Sequence, residues 1–106
     1  MLDLATIKQG IKSVAPKYPI EKVLLFGSYA NNDADESSDI DLAVEFSNVP
    51  ITLFQIFAIK EDLKEAFGKN VDIIRFPFSE KAKRFLVIER MVGIYEKESN
   101  GEYPNM

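Results

Sequence analysis

Apolar side chains recur along this chain at helical spacing in some stretches and at strand spacing in others. Leu4, Ile7, Ile11 and Val14 share one face of a helix, with Asp3 placed to cap its start and Pro16 to stop it. Glu21 to Phe26 is a short apolar run closed by Gly27, as a buried strand would be. Residues 28 to 38 are polar and rich in Asn, Asp and Ser, which predicts a loop with room for one helical turn at its start. From Asp39 to Phe46 the pattern alternates, with Ile40, Leu42 and Val44 pointing one way and Asp39, Asp41 and Glu45 the other, a half-buried strand. Leu53, Ile56, Phe57, Leu63 and Phe67 predict a second amphipathic helix that ends near Gly68. Val71 to Phe76 predicts a third strand closed by Pro77, and Ser79 is placed to cap a last helix carrying Ala82, Phe85, Leu86, Val92 and Tyr95. The polar tail from Ser99 is predicted to be disordered.

The order helix, strand, strand, helix, strand, helix predicts an α/β (α+β) fold, a small mixed sheet of three to four strands with helices packed against it. The twelve-residue link between the first two strands permits an antiparallel pair, and the helix between the second and third permits a right-handed parallel crossover. No repeat or long linker divides the chain, so residues 1–98 are expected to form one domain and 99–106 a tail.

Composition narrows the chemistry. With no cysteine and no histidine, cysteine-ligated zinc, disulfides, a Cys nucleophile and a His general base are all excluded. Any metal must be held by oxygen ligands, which suits a hard ion such as magnesium. A net charge of −4 argues against a broad, nonspecific grip on nucleic acid. The N-terminus mixes charges among its apolar residues and lacks the apolar stretch of a signal peptide. The longest mostly apolar run, Ile51 to Ile59, is far too short to cross a bilayer, so no membrane association and a cytoplasmic location are expected.

Candidate chemistry concentrates in residues 27 to 41, with one addition at 72. Asp39 and Asp41 lie two apart on one strand, so their carboxylates leave the same face roughly 7 Å apart at the backbone. Two like charges so placed repel unless a cation joins them, and divalent ions bridged to phosphates would resolve the repulsion. Asp72, flanked by Val71 and Ile73, can join them if its strand is a neighbour. Against this stands a plainer alternative: Asp39 and Asp41 form the solvated side of an exposed strand, and Asp72 faces solvent from a sheet edge. Gly27, directly after a buried strand, lets another group approach the backbone closely, and a turn starting at Ser28 would offer free N–H groups and a hydroxyl to phosphate.

The run LLFGSYANNDADESSDIDLAVEF resembles the signature of the DNA polymerase β-type nucleotidyltransferase superfamily: an apolar strand, Gly-Ser, a loop of about ten residues, Asp-x-Asp between apolar neighbours, and a third carboxylate on a later strand. Gly27, Ser28, Asp39, Asp41 and Asp72 match that pattern, over roughly residues 20 to 95, and the SDIDLAVEF ending is similar to that of minimal nucleotidyltransferases. The resemblance implies nucleoside triphosphate binding at Gly27 and Ser28, with ATP as a natural substrate. It also implies two magnesium ions on Asp39 and Asp41, and Asp72 as third ligand or acceptor-side base. One departure is visible. The family pattern carries Arg-Gly after the alanine, where this chain has Asn31 and Asn32, so the bidentate cation for triphosphate oxygens is missing. Lys60, Lys69, Arg75 or a partner's arginine are the candidate replacements. Larger members of the superfamily add a helical acceptor-binding domain. Its absence here implies an acceptor supplied by another molecule or across an oligomer. Minimal members pair with a helical HEPN-type protein as antitoxin and RNase toxin, the antitoxin adding AMP to a tyrosine of the toxin. Phe54, Phe76 and Phe78 are expected to pack in the core, a docking patch being the alternative.

Overall fold

The computed structural model of the chain describes residues 2–75 and 91–97. Helix α1 (Leu4–Val14) starts where the Asp3 carboxylate accepts the Thr6 N–H at 2.8 Å, and passes into a single 3₁₀ turn, Ala15–Lys17, that contains Pro16. Strand β1 (Ile20–Phe26) then pairs antiparallel with β2 (Ile40–Phe46). Helix α2 (Leu53–Phe67) opens on a reciprocal cap, in which the Thr52 hydroxyl accepts the Gln55 N–H while the Gln55 side chain accepts the Thr52 N–H. It ends at Gly68, whose φ of 68° turns the chain toward β3 (Val71–Arg75), parallel to β2. A fourth strand, β4 (Val92–Glu96), runs antiparallel to β1, giving a four-stranded mixed sheet in the order β3-β2-β1-β4.

Both helices lie on one face of this sheet. Ile7, Ile11 and Val14 of α1 and Ile59, Leu63 and Phe67 of α2 close over Val23, Leu25, Ile40, Leu42, Val44 and Val71, and this is the main core. Side chains alternate along a strand, so burial of Ile40, Leu42 and Val44 puts Asp41 on the opposite face, which neither α1 nor α2 covers, as the spacing predicts.

The structure corrects the sequence reading in three places. Val92 and Tyr95 belong to strand β4, not to a last helix; their three-residue separation fits a helix, but Val92 and Ile94 alternate and Gly93 is a poor helix former. The rest of that expected helix, residues 79–90, lies outside the described residues, as do Phe76, Phe78 and the tail expected to be disordered. On α2 the buried stripe is Ile59, Leu63 and Phe67, whereas Leu53 is 83% and Phe57 63% exposed. Phe54, expected in the core, is 86% exposed. Gln55 is the one polar side chain among residues 53–59, so periodicity in the first turns of α2 does not distinguish the side that faces the sheet.

Candidate active site

The site is built at the end of the sheet where β1 finishes and β2 begins. Phe26 pairs with Asp41, so Gly27 emerges directly beside the Asp41 carboxylate. Gly27 is needed there twice over: its φ is 77°, and a β-carbon at this position would collide with the Asp41 carboxylate. The chain then turns tightly. The Gly27 carbonyl accepts the N–H groups of Ala30 and Asn31, each at 3.1 Å, and the Ser28 carbonyl accepts the Asp33 N–H at 2.8 Å. The N–H groups of Ser28 and Tyr29 have no acceptor among the described residues, which leaves two donors and the Ser28 hydroxyl at the strand end. Asn32 sits at φ 62°, a left-handed conformation that Asn tolerates better than most residues and that explains glycine in the family pattern.

Asp39 is exposed and immediately precedes β2; Asp41 is half-buried within it. On the neighbouring strand Asp72 pairs in register with Asp41, and Val71 with Ile40, so the two carboxylates leave the same face of adjacent strands. Burial pushes the Asp41 carboxyl above its ordinary range, and the charges of Asp72 and Asp39 push it further the same way. Among the described residues none of the three carboxylates has a hydrogen-bond or salt-bridge partner. Buried between Val71 and Ile73, Asp72 would need water or a cation; on an edge strand it faces solvent. The structure has β3 at the sheet edge with Asp72 exposed, yet still aligned with Asp41.

No three acidic side chains among the described residues converge tightly enough to hold an ion on their own. The donor set fits a magnesium ion that takes one or two carboxylates and completes its shell with phosphate oxygens and water. Burial and two neighbouring carboxylates raise the proton affinity of Asp41, and a cation bound beside it would lower it.

The loop from Asp33 to Ser38 is held by its own polar groups. The Asp35 carboxylate accepts from the Ser37 N–H at 2.9 Å, the Ser37 hydroxyl at 2.7 Å and the Ser38 hydroxyl at 3.2 Å, which holds its carboxyl below the ordinary range. Beyond the loop, Lys69 donates to the Glu36 carbonyl at 2.7 Å and lies 5.9 Å over the Tyr29 ring. Of the three candidate replacements for the missing arginine, Lys69 alone is seen at this end of the sheet. Arg75 pairs with Val44 farther along β2 and rests over Phe46, and Lys60 is on α2, which packs on the opposite face. The sequence reading did not assign roles to Tyr29, Asp35 or Ser37. Asp-x-Ser-Ser spacing, a common frame for side-chain-bonded turns, was the available signal for the last two.

The polymerase beta nucleotidyltransferase family matches the chain over residues 9–100. The chain belongs to that family. Among individual nucleotidyltransferases, it is 35% identical over 75 residues to a Methanocaldococcus jannaschii protein named as a protein adenylyltransferase, covering 71% of this chain and 80% of that one. Three further relatives from the same archaeon are matched over 63% of their own length. A solved structure described as a minimal nucleotidyltransferase superposes with a TM-score of 0.67 at 28% identity, over 89% of this chain and 96% of the other. The fold also matches a chain of a Shewanella oneidensis complex, described as a tri-AMPylated HEPN toxin with its MNT antitoxin, with a TM-score of 0.61 at 19% identity, over 92% and 76%. Among the described residues, two helices on a four-stranded mixed sheet give the nucleotidyltransferase architecture, and the candidate site lies at the strand ends of that sheet.

Proposed function

We propose that this nucleotidyltransferase moves AMP from ATP to a hydroxyl on a partner protein, as the antitoxin-like member of a pair with a helical HEPN-type protein in the cytoplasm. The observation that carries the reading is the alignment of Asp41 with Asp72 beside the Gly27–Ser28 turn. Relatives named as protein adenylyltransferases and a neighbour described as an MNT antitoxin with an AMPylated toxin support the choice of AMP and of a protein acceptor.

The acceptor oxygen forms a bond to the α-phosphorus of ATP, the bond from that phosphorus to the bridging oxygen of the β-phosphate breaks, and pyrophosphate leaves with the electron pair. Gly27, Ser28 and the free N–H groups of the turn hold the triphosphate by hydrogen bonds, and Gly27 admits it close to the backbone. Asp72, on the exposed edge, is placed to receive the acceptor's proton. Asp39 and Asp41, with Asp72, would hold magnesium, which when bound neutralises the phosphate oxygens and the clustered carboxylates.

Asn31 favours a second reading, in which the protein neutralises its partner mainly by binding, with a weakened nucleotide site. One experiment separates the readings. The chain is incubated with ATP, magnesium and its HEPN-type partner, and the partner's intact mass is followed. Addition of AMP that EDTA abolishes is the expected result. A stable complex with unmodified partner would support the binding reading, and transfer only to RNA ends or a small molecule would replace the protein acceptor.

A further inference from the structure

We infer that Lys69 is a positioning residue that fixes Asp39 against the Gly27–Ser28 turn. The inference rests on the reading of Asp39 as a site carboxylate. Asp39 is exposed and lies outside the regular part of β2, where pairing with β1 begins only at Asp41. Pairing with β3 begins one residue after it, at Ile40 with Val71, so strand pairing anchors Asp39 from its C-terminal side, and a second tie on the other side is needed to hold it within reach of a shared cation. The residues on either side of it are tied to two consecutive residues of the turn between α2 and β3. Before Asp39, the Glu36 carbonyl accepts from the Lys69 ammonium at 2.7 Å; after it, the Ile40 N–H donates to the Asn70 carbonyl at 3.1 Å. Lys69 and Asn70 thus bracket Asp39.

The same ammonium lies 5.9 Å over the ring of Tyr29, inside the turn that begins at Gly27. A single side chain therefore touches both halves of the site, the turn expected to hold phosphate and the loop that delivers Asp39. Gly68 makes this reach possible, because its left-handed conformation ends α2 and turns the chain toward the loop. The Asp35–Ser37–Ser38 hydrogen bonds keep Glu36 at the apex of a closed turn, so that fixing one carbonyl fixes the segment. A charged donor on a carbonyl is among the stronger single hydrogen bonds, and no other hydrogen bond among the described residues ties the 33–38 loop to α2 or β3.

The test compares wild type, Lys69→Met, which keeps the stem and removes the donor, and Lys69→Arg, which keeps a donor. Amide hydrogen exchange across residues 33–39 is measured without nucleotide, and affinity for ATP with magnesium is measured by calorimetry. In Lys69→Met, exchange of these amides should rise by about tenfold while the core strands stay protected, and affinity should fall several-fold; Lys69→Arg should recover most of both. Unchanged exchange in Lys69→Met overturns the inference, and so does raised exchange with wild-type affinity. If the wild type itself binds no ATP in magnesium, the functional reading fails instead, and the clamp then stands or falls on the exchange data alone.

Discussion

The two ends of the sheet treat their acidic side chains in opposite ways. At the end where β1 begins, half-buried acids have a donor or a cation beside them: Asp62 on α2 accepts the Tyr18 hydroxyl at 2.5 Å, Glu21 accepts the Ser47 hydroxyl at 2.6 Å, and the Lys22 charge partly offsets the burial of Glu45 and its repulsion by Glu21 and Glu96. At the other end Asp39, Asp41 and Asp72 share one corner with no partner among the described residues. A folded chain seldom leaves carboxylates close together and unmatched, because each raises the electrostatic cost of the others. The satisfied end is explained by folding alone. At the unsatisfied end a bound cation and phosphate would offset the repulsion.

That contrast can be broken most directly at Asp41. Asp41→Asn is expected to lower transfer by about a thousandfold or more, since phosphoryl chemistry depends heavily on charge stabilisation at the reacting phosphate. The variant should nonetheless melt no lower than wild type in EDTA, since a half-buried charge and two repulsions are removed together. Asp72→Asn should lose most transfer while keeping nucleotide affinity within a few-fold. A large fall in melting temperature for Asp41→Asn would show that the corner is structural after all.

Gly27→Ala sharpens the comparison from the backbone side. The added methyl must displace the Asp41 carboxylate and hold φ near 77°, so a cost of about 2 kcal/mol is expected, with loss of nucleotide binding. Chemical denaturation and calorimetry read the two effects separately. At the opposite end, Tyr18→Phe should cost about 1 kcal/mol through the unpaired Asp62 carboxylate and leave transfer within about twofold. A strong effect of Tyr18→Phe on transfer would mean that the two ends are not independent.

Much of this architecture is legible in the residue pattern. Asp3 caps α1 as expected, Ile40, Leu42 and Val44 are buried, and the Gly-Ser and Asp-x-Asp elements are brought together by the pairing of Phe26 with Asp41. What the pattern hid had physical reasons. Strand β4 contains only five residues, and its Val92–Tyr95 spacing imitates a helix until pairing with β1 decides the matter. The phase of α2 was hidden because residues 51–59 carry no charge to mark a solvent side, and the sheet covers only the later turns. The exposure of Asp72 depends on β3 being an edge, a property of strand order that local sequence does not encode. The contact from Lys69 to Glu36 spans 33 positions and involves a main-chain carbonyl, which leaves no trace in side-chain pattern.

The parallel pairing of β2 with β3 also bears on how the molecule assembles. Asp41 meets Phe26 across a short connection, whereas it meets Asp72 only after the chain has run through all of α2. Loop closure favours the nearer contact, so the hairpin of β1 and β2 can form while β3 is still unattached. Electrostatic conflict at the corner is thereby confined to one event, the arrival of an edge strand on an otherwise finished sheet. The reverse holds for breathing motions: release of β3 alone separates the two carboxylates and leaves the hairpin untouched. A bound cation would then slow the peeling of one strand far more than it slows unfolding of the whole.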